Sequence, residues 1–70
     1  MTSTDIGNAI RAARKTQGLR QDELAAAANV GVRFLIELEA GKSTAQLGKT
    51  LSVISALGIG LRLVSPSGER

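Results

Sequence analysis

Seventy residues without a single cysteine allow one small domain whose core is marginal alone and would gain from oligomerisation. His, Tyr and Trp are absent as well, which removes metal-ligand clusters and Cys/His or Ser/His nucleophilic constellations. No glycine-rich phosphate loop takes their place, since Gly58 and Gly60 fall between a helix and a strand, so an enzyme is not expected. Nine basic against six acidic residues give a net charge of +3, which suits a polyanion partner and equally an ordinary solvated surface.

The first helix is expected to start at Thr4, a good N-cap, with Asp5 at the positive end of the helix dipole. Ile6, Ile10, Ala13 and Gln17 recur at i, i+4, i+7 and i+11 and make one mostly apolar face, with Arg11 and Lys15 off it. Gly18 ends this helix and Leu19 anchors the connection. A second helix is expected over residues 21–28, where Leu24 and a run of alanines supply apolar contact and allow close approach. Asn29 stands where the chain must turn, because asparagine tolerates the left-handed conformation. Val30 plugs the corner. A third helix over residues 32–40 carries Leu35 and Leu38 as its apolar stripe, and Gly41 stops it.

Thr44, or alternatively Ser43, caps a fourth helix over residues 45–57. Leu47, Leu51, Ile54 and Leu57 form its core stripe, Val53 widens it, and Gly58 ends it. The period then drops to two. Ile59, Leu61 and Leu63 alternate with Gly60, Arg62 and Val64, so residues 59–64 read as a strand. Pro66 and Gly68 terminate it, and residues 65–70 make a frayed tail. A lone strand cannot satisfy its backbone groups and no other stretch reads as one, so a second copy of the chain is the expected partner. Two-fold symmetry makes that pairing antiparallel. There is no signal peptide and no apolar run of about 18 residues, so a cytoplasmic location without membrane attachment is expected.

Residues 20–41, two short helices joined by a tight turn, have the form of a helix-turn-helix. The run Gln21-Asp22-Glu23-Leu24-Ala25, the Asn29-Val30 turn and Leu38-Glu39-Ala40-Gly41-Lys42 resemble the Cro/repressor (Xre) helix-turn-helix family. The resemblance covers about residues 6–57. It implies a mainly α, lambda-repressor-like domain of four to five helices spanning 1–70, closed by the short C-terminal β-strand that pairs across a dimer. Two positions depart from the family pattern. Arg20 stands where a Ser or Thr cap is usual, and Gly31 where the recognition helix usually has a polar cap. More finely, residues 33–45 and 56–63 are similar to the HipB-like antitoxins, dimeric repressors that also bind a HipA-type kinase toxin.

The resemblance distributes roles. Arg14 would pair with Glu39, a structural tie between the first helix and the end of the third, the alternative being a surface arginine. Gln21 would contact a phosphate, aided by the free amides of its helix N-terminus, or else merely start that helix. Arg20 and Lys42 flank the motif as phosphate contacts or solvated charges, with Arg11 and Lys49 as weaker candidates. The family's base-reading positions fall on Val32, Arg33, Ile36 and Glu37. Arg33 can fork onto guanine, and Val32 and Ile36 can touch thymine methyls. Glu37 either accepts from a cytosine amine or orients Arg33 one turn earlier. Phe34, the sole aromatic residue, packs towards the second helix or lines the DNA face. Gly31 either lets the helix approach DNA closely or is a plain turn glycine.

These roles imply a homodimeric, sequence-specific DNA-binding repressor on a palindromic operator. By the finer resemblance it is an antitoxin, associated with the nucleoid, that autoregulates its operon and binds a HipA-like kinase toxin. The competing readings are a free-standing Xre-type regulator and a protein-interaction module without DNA binding. No cofactor and no metal are implied.

Overall fold

A computed structural model describes residues 1–64, which fold into four helices: α1 (Ser3–Thr16), α2 (Gln21–Ala28), α3 (Val32–Glu39) and α4 (Leu47–Ala56). The expected tail over 65–70, with Pro66 and Gly68, lies outside the described residues. Helix α2 packs on both α3 and α4, and α1 packs on α3. The core is made by Ile10 of α1, Leu24, Ala25 and Ala28 of α2, Leu35 and Leu38 of α3, and Val53 and Ile54 of α4, with Leu57. Ile6, Ala13, Leu19, Val30, Phe34 and Ala45 pack around its edge. No described helix is long and apolar enough to cross a membrane.

All four helices stop in the same way. After α1, the amides of Gly18 and Leu19 return to the carbonyls of Lys15 and Arg14 at 3.0 and 3.1 Å. Gly41 and Lys42 return to Leu38 and Glu37, and Gly58 and Ile59 to Ser55 and Ile54. These are Schellman motifs, which satisfy the last carbonyls of the helix through one left-handed residue. At the end of α2 Asn29 does the glycine's work at φ 59°. Its neighbour Val30 bonds back to the Ala25 carbonyl at 2.9 Å.

The helix starts differ from the sequence expectation. α1 begins before Thr4: Thr2 is the N-cap, its hydroxyl accepting from the Asp5 amide at 3.1 Å. The Asp5 carboxylate accepts from the Thr2 amide at 3.0 Å. This reciprocal pair satisfies two donors that a cap at Thr4 would leave bare. α4 begins after Gln46 rather than behind Ser43 or Thr44, because Ala45 packs against the core while the connection is still extended.

The face of α4 is also rotated from the expected one. Val53, Ile54 and Leu57 are buried, but Leu47 is 68 % and Leu51 43 % exposed. Thr50 takes the buried place instead. Its hydroxyl donates to the Gln46 carbonyl at 2.9 Å, so the polar group needs no partner from the core.

The expected strand over 59–64 is not formed: the stretch follows α4 without regular structure, and no strand occurs among the described residues. A strand exists only through pairing, and the described residues offer it no other strand to pair with. Ile59 and Leu61 line a groove beside Ile6, Ala9 and Ile10 of α1 and Ile54 of α4, whereas Leu63, expected on the same inner face, is exposed.

Gly7 was not singled out by the sequence pattern. It is buried in α1, and a Cβ built on it would lie 2.5 Å from the Leu38 carbonyl oxygen and 2.8 Å from that of Glu39. Only glycine lets α1 settle backbone to backbone on the end of α3.

Candidate nucleic-acid interface

Where α1, α2 and α3 meet, Arg14 and Glu39 are both buried. The Arg14 guanidinium forks onto the carboxylate, Nε to Oε2 at 2.7 Å and the second nitrogen to Oε1 at 3.0 Å. Its remaining nitrogen donates to the Leu19 carbonyl at 2.8 Å. Gln21, the first residue of α2, donates its side-chain amide to Glu39 Oε1 at 3.2 Å. One carboxylate therefore joins α1, the loop after it, the start of α2 and the end of α3. Hydrogen bonding to Glu39 raises the Arg14 pKa above its ordinary value, against the opposing effect of burial. A charge-assisted fork of this kind is specific to arginine.

The outer side of α3 presents Val32, Arg33 and Ile36, all exposed. Arg33 forms no hydrogen bond or ion pair among the described residues. Glu37 does not bond to Arg33; it accepts from Lys42 Nζ at 3.0 Å. The Schellman stop explains the choice, since this motif folds its last residue back over the one five positions earlier. Here those two residues are Lys42 and Glu37.

Polar and basic groups flank this face on both sides. One shallow cleft is lined by Arg11, Gln21, Ile36 and Ala40 around the Arg14–Glu39 node. Another is lined by Phe34, Glu37, Lys42, Thr44 and Lys49. Arg11 and Lys49, secondary candidates on sequence, thus stand with the principal ones. Phe34 packs half-buried against the core, and the Lys49 ammonium lies 5.6 Å from its ring centroid, a cation–π distance.

Arg20 is set apart from this pattern. Its guanidinium pairs with Asp22 at 3.1 Å and approaches Glu23 at 3.6 Å. The hydrogen bond from Arg20 holds the Asp22 carboxyl below its ordinary value. An arginine side chain has no acceptor for a helix amide. The cap of α2 is therefore made by acids: Glu23 accepts from the Arg20 backbone at 2.8 Å, and Asp22 from the Glu23 backbone at 3.0 Å. The start of α2 offers fewer free amides than expected, because Asp22 occupies one. The signal was present in the two acids directly after Gln21, which favour the positive end of a helix. Gly31 precedes α3 in an extended conformation with no atom within 4 Å of a Cβ built there.

Residues 10–64 match the helix-turn-helix family. The chain is also 55 % identical over 69 residues to y4mF of Sinorhizobium fredii, described as an uncharacterized HTH-type transcriptional regulator, covering 99 % of this chain and 90 % of that protein.

Proposed function

The chain belongs to the helix-turn-helix family, and from that premise we propose that it is a transcriptional repressor that reads a two-fold DNA site as a homodimer. The observation that carries this is the exposed α3 face, with Arg33 unpaired between two flanks holding Arg11 and Gln21 on one side and Lys42 and Lys49 on the other. A helix entering the major groove has a phosphate backbone on each side, so base readers belong in the middle and phosphate contacts at the edges. Arg33 reads guanine, Val32 and Ile36 meet thymine methyls, and Glu37, released from Lys42, accepts from cytosine. Lys42 and Gln21 hold phosphates, with Arg20 as an outlying contact once it leaves Asp22.

Dimerisation brings residues 59–64 of two copies together as an antiparallel ribbon, with Ile59, Leu61 and Leu63 towards the helices. Support for it is the alternating pattern and the absence of a pairing edge among the described residues. Footprinting on genomic fragments tests the reading. Two protected half-sites about one helical turn, or a multiple, apart are expected. A single unpaired half-site would exclude the dimeric mode.

The narrower role is that of a HipB-like antitoxin that represses its own operon, bound to the nucleoid, and holds a HipA-type kinase toxin. It rests on the similarity of residues 33–45 and 56–63 to that subgroup. Co-purification with the kinase-like product of a neighbouring gene tests it. A functional operator with no such neighbour makes the protein a free-standing regulator. The exposed apolar pair Val32 and Ile36 would also serve a protein-interaction module. Failure to shift any genomic fragment at low salt would favour that second reading.

A further inference from the structure

Glu37 and Lys42 are joined twice. The Lys42 backbone amide donates to the Glu37 carbonyl at 3.1 Å, and its ammonium donates to the Glu37 carboxylate at 3.0 Å. The main-chain bond closes through Gly41 at φ 91°. A Cβ on Gly41 would lie 2.8 Å from the Thr4 hydroxyl oxygen and 3.1 Å from the Thr4 Cα, so α1 holds this bend from outside. Lys42 therefore starts from a fixed place, which lessens the freedom lost when its ammonium meets the carboxylate. Arg33, four residues before Glu37, forms no ion pair among the described residues. A basic residue placed before its acid at that spacing is the weaker order on a helix. The cleft of about 210 Å³ that holds Glu37 and Lys42 also holds Lys49. Lys49 rests over the Phe34 ring and forms no ion pair among the described residues. One flank of α3 thus carries two lysines of different kinds. Lys49 is free to meet a phosphate on any duplex, whereas Lys42 meets one only by leaving a carboxylate.

We infer that Lys42 is a base-dependent phosphate contact, one that reaches the DNA backbone only where Glu37 finds a cytosine. The inference rests on the DNA-reading role proposed above and names a specificity device within it. Both halves of the pair face a polyanion when α3 enters a groove. If Lys42 left for a phosphate on random DNA, Glu37 would stay bare among phosphates and base-edge acceptors, and a desolvated charge without a partner is costly. In the free protein an exposed pair of this kind stabilises little. Between protein and DNA water is excluded, and the same pair is stronger. On random DNA the pair is kept, and Lys42 adds no phosphate contact. A cytosine amine changes this, because it donates to the carboxylate in place of the ammonium. The lysine is then released towards the backbone. Phosphate contacts carry no sequence information of their own; this one takes it from the carboxylate, although Lys42 touches no base.

Salt dependence counts phosphate contacts directly, which gives the test. The full chain is titrated against the footprinted operator and against the same duplex changed, in one half-site, at the base pair where Glu37→Gln relaxes preference. Wild type should show a slope steeper by roughly one ion on the operator than on the changed duplex. Lys42→Met should bring the operator slope down to that of the changed duplex. Glu37→Gln should bring the changed duplex up to the operator. The two slopes thus become equal in both variants, at the lower level in one and the higher in the other. Both side chains are partly exposed, and circular dichroism checks that each variant keeps the fold. Equal slopes in a wild type that binds both duplexes would overturn the coupling and leave the DNA-reading role intact. So would a Glu37→Gln variant that relaxes preference at no base pair. A wild type that shifts no DNA at low salt would overturn both.

Discussion

Glu37 and Glu39 stand two residues apart on α3, carry the same carboxylate and each binds a cation, yet they belong to different kinds of structure. The Glu39 side chain is 4 % exposed and accepts from Arg14 and Gln21 on two other helices. The Glu37 side chain is 40 % exposed and accepts from Lys42, which the chain's own helix stop brings beside it. Burial decides the difference. A desolvated charge cannot lose its partner without remaining uncompensated, whereas an exposed one exchanges its partner for water or phosphate. The first pair fixes the angle at which α3 is held; the second can open when a phosphate competes for the lysine.

Removing one partner of the buried pair is the severest way to break this contrast. Glu39→Gln should destabilise the fold by about 3–5 kcal/mol, read from the denaturant midpoint. Adding Arg14→Met should recover part of that loss, and a double-mutant cycle without coupling would remove the distinction between the two acids. Arg33 sharpens the contrast from the other side, as the cation of α3 with no acid to release. Arg33→Ala should lose about 1–3 kcal/mol of operator binding and relax preference at one base pair, with little change in fold stability. Equal loss on operator and random DNA would make Arg33 a phosphate contact.

Glu37→Gln should change stability by only about 0.2–1 kcal/mol. It should tighten binding to random DNA and steepen its salt dependence by roughly one ion, because Lys42 is then free beforehand, while preference at the base pair that Glu37 reads relaxes. An unchanged salt slope would mean that Lys42 does not reach DNA. The smallest effect belongs to Asp22, the exposed acid beside Arg20. Its pKa is lowered from 3.8 in the folded chain, so its contribution is present above that value and fades as pH falls through the lower folded one. Asp22→Asn should therefore narrow its stability gap from wild type below pH 3.8; a gap that widens there would reverse the sign of the interaction.

Much of this architecture was legible in the chain. Gly18, Asn29, Gly41 and Gly58 each mark a helix end, because a left-handed residue is a local requirement that few side chains meet. The partner of Arg14 followed from family resemblance; its third bond, to the Leu19 carbonyl, did not. Of the two readings of Glu37, pairing with Arg33 is not the one the structure makes, because Lys42, folded back through Gly41, lies closer than one turn of helix suggests. The orientation of α4 was misread for a different reason. Periodicity counts apolar side chains, but Thr50 can be buried once its own helix accepts its hydroxyl, and Leu47 can be left outside. Gly7 leaves no mark in any hydrophobic pattern, since what it provides is the missing Cβ itself.

The bond from Gln21 to Glu39 has a consequence for genetics. A residue proposed to hold DNA is positioned by one proposed never to touch it. A screen of random mutants for loss of repression would therefore return Glu39 substitutions alongside those at Arg33 and Gln21, and would map a false contact into the middle of the fold. Suppressors would tell the classes apart. Lesions at Arg33 would be rescued by changes in the operator, and lesions at Glu39 by second changes at Arg14.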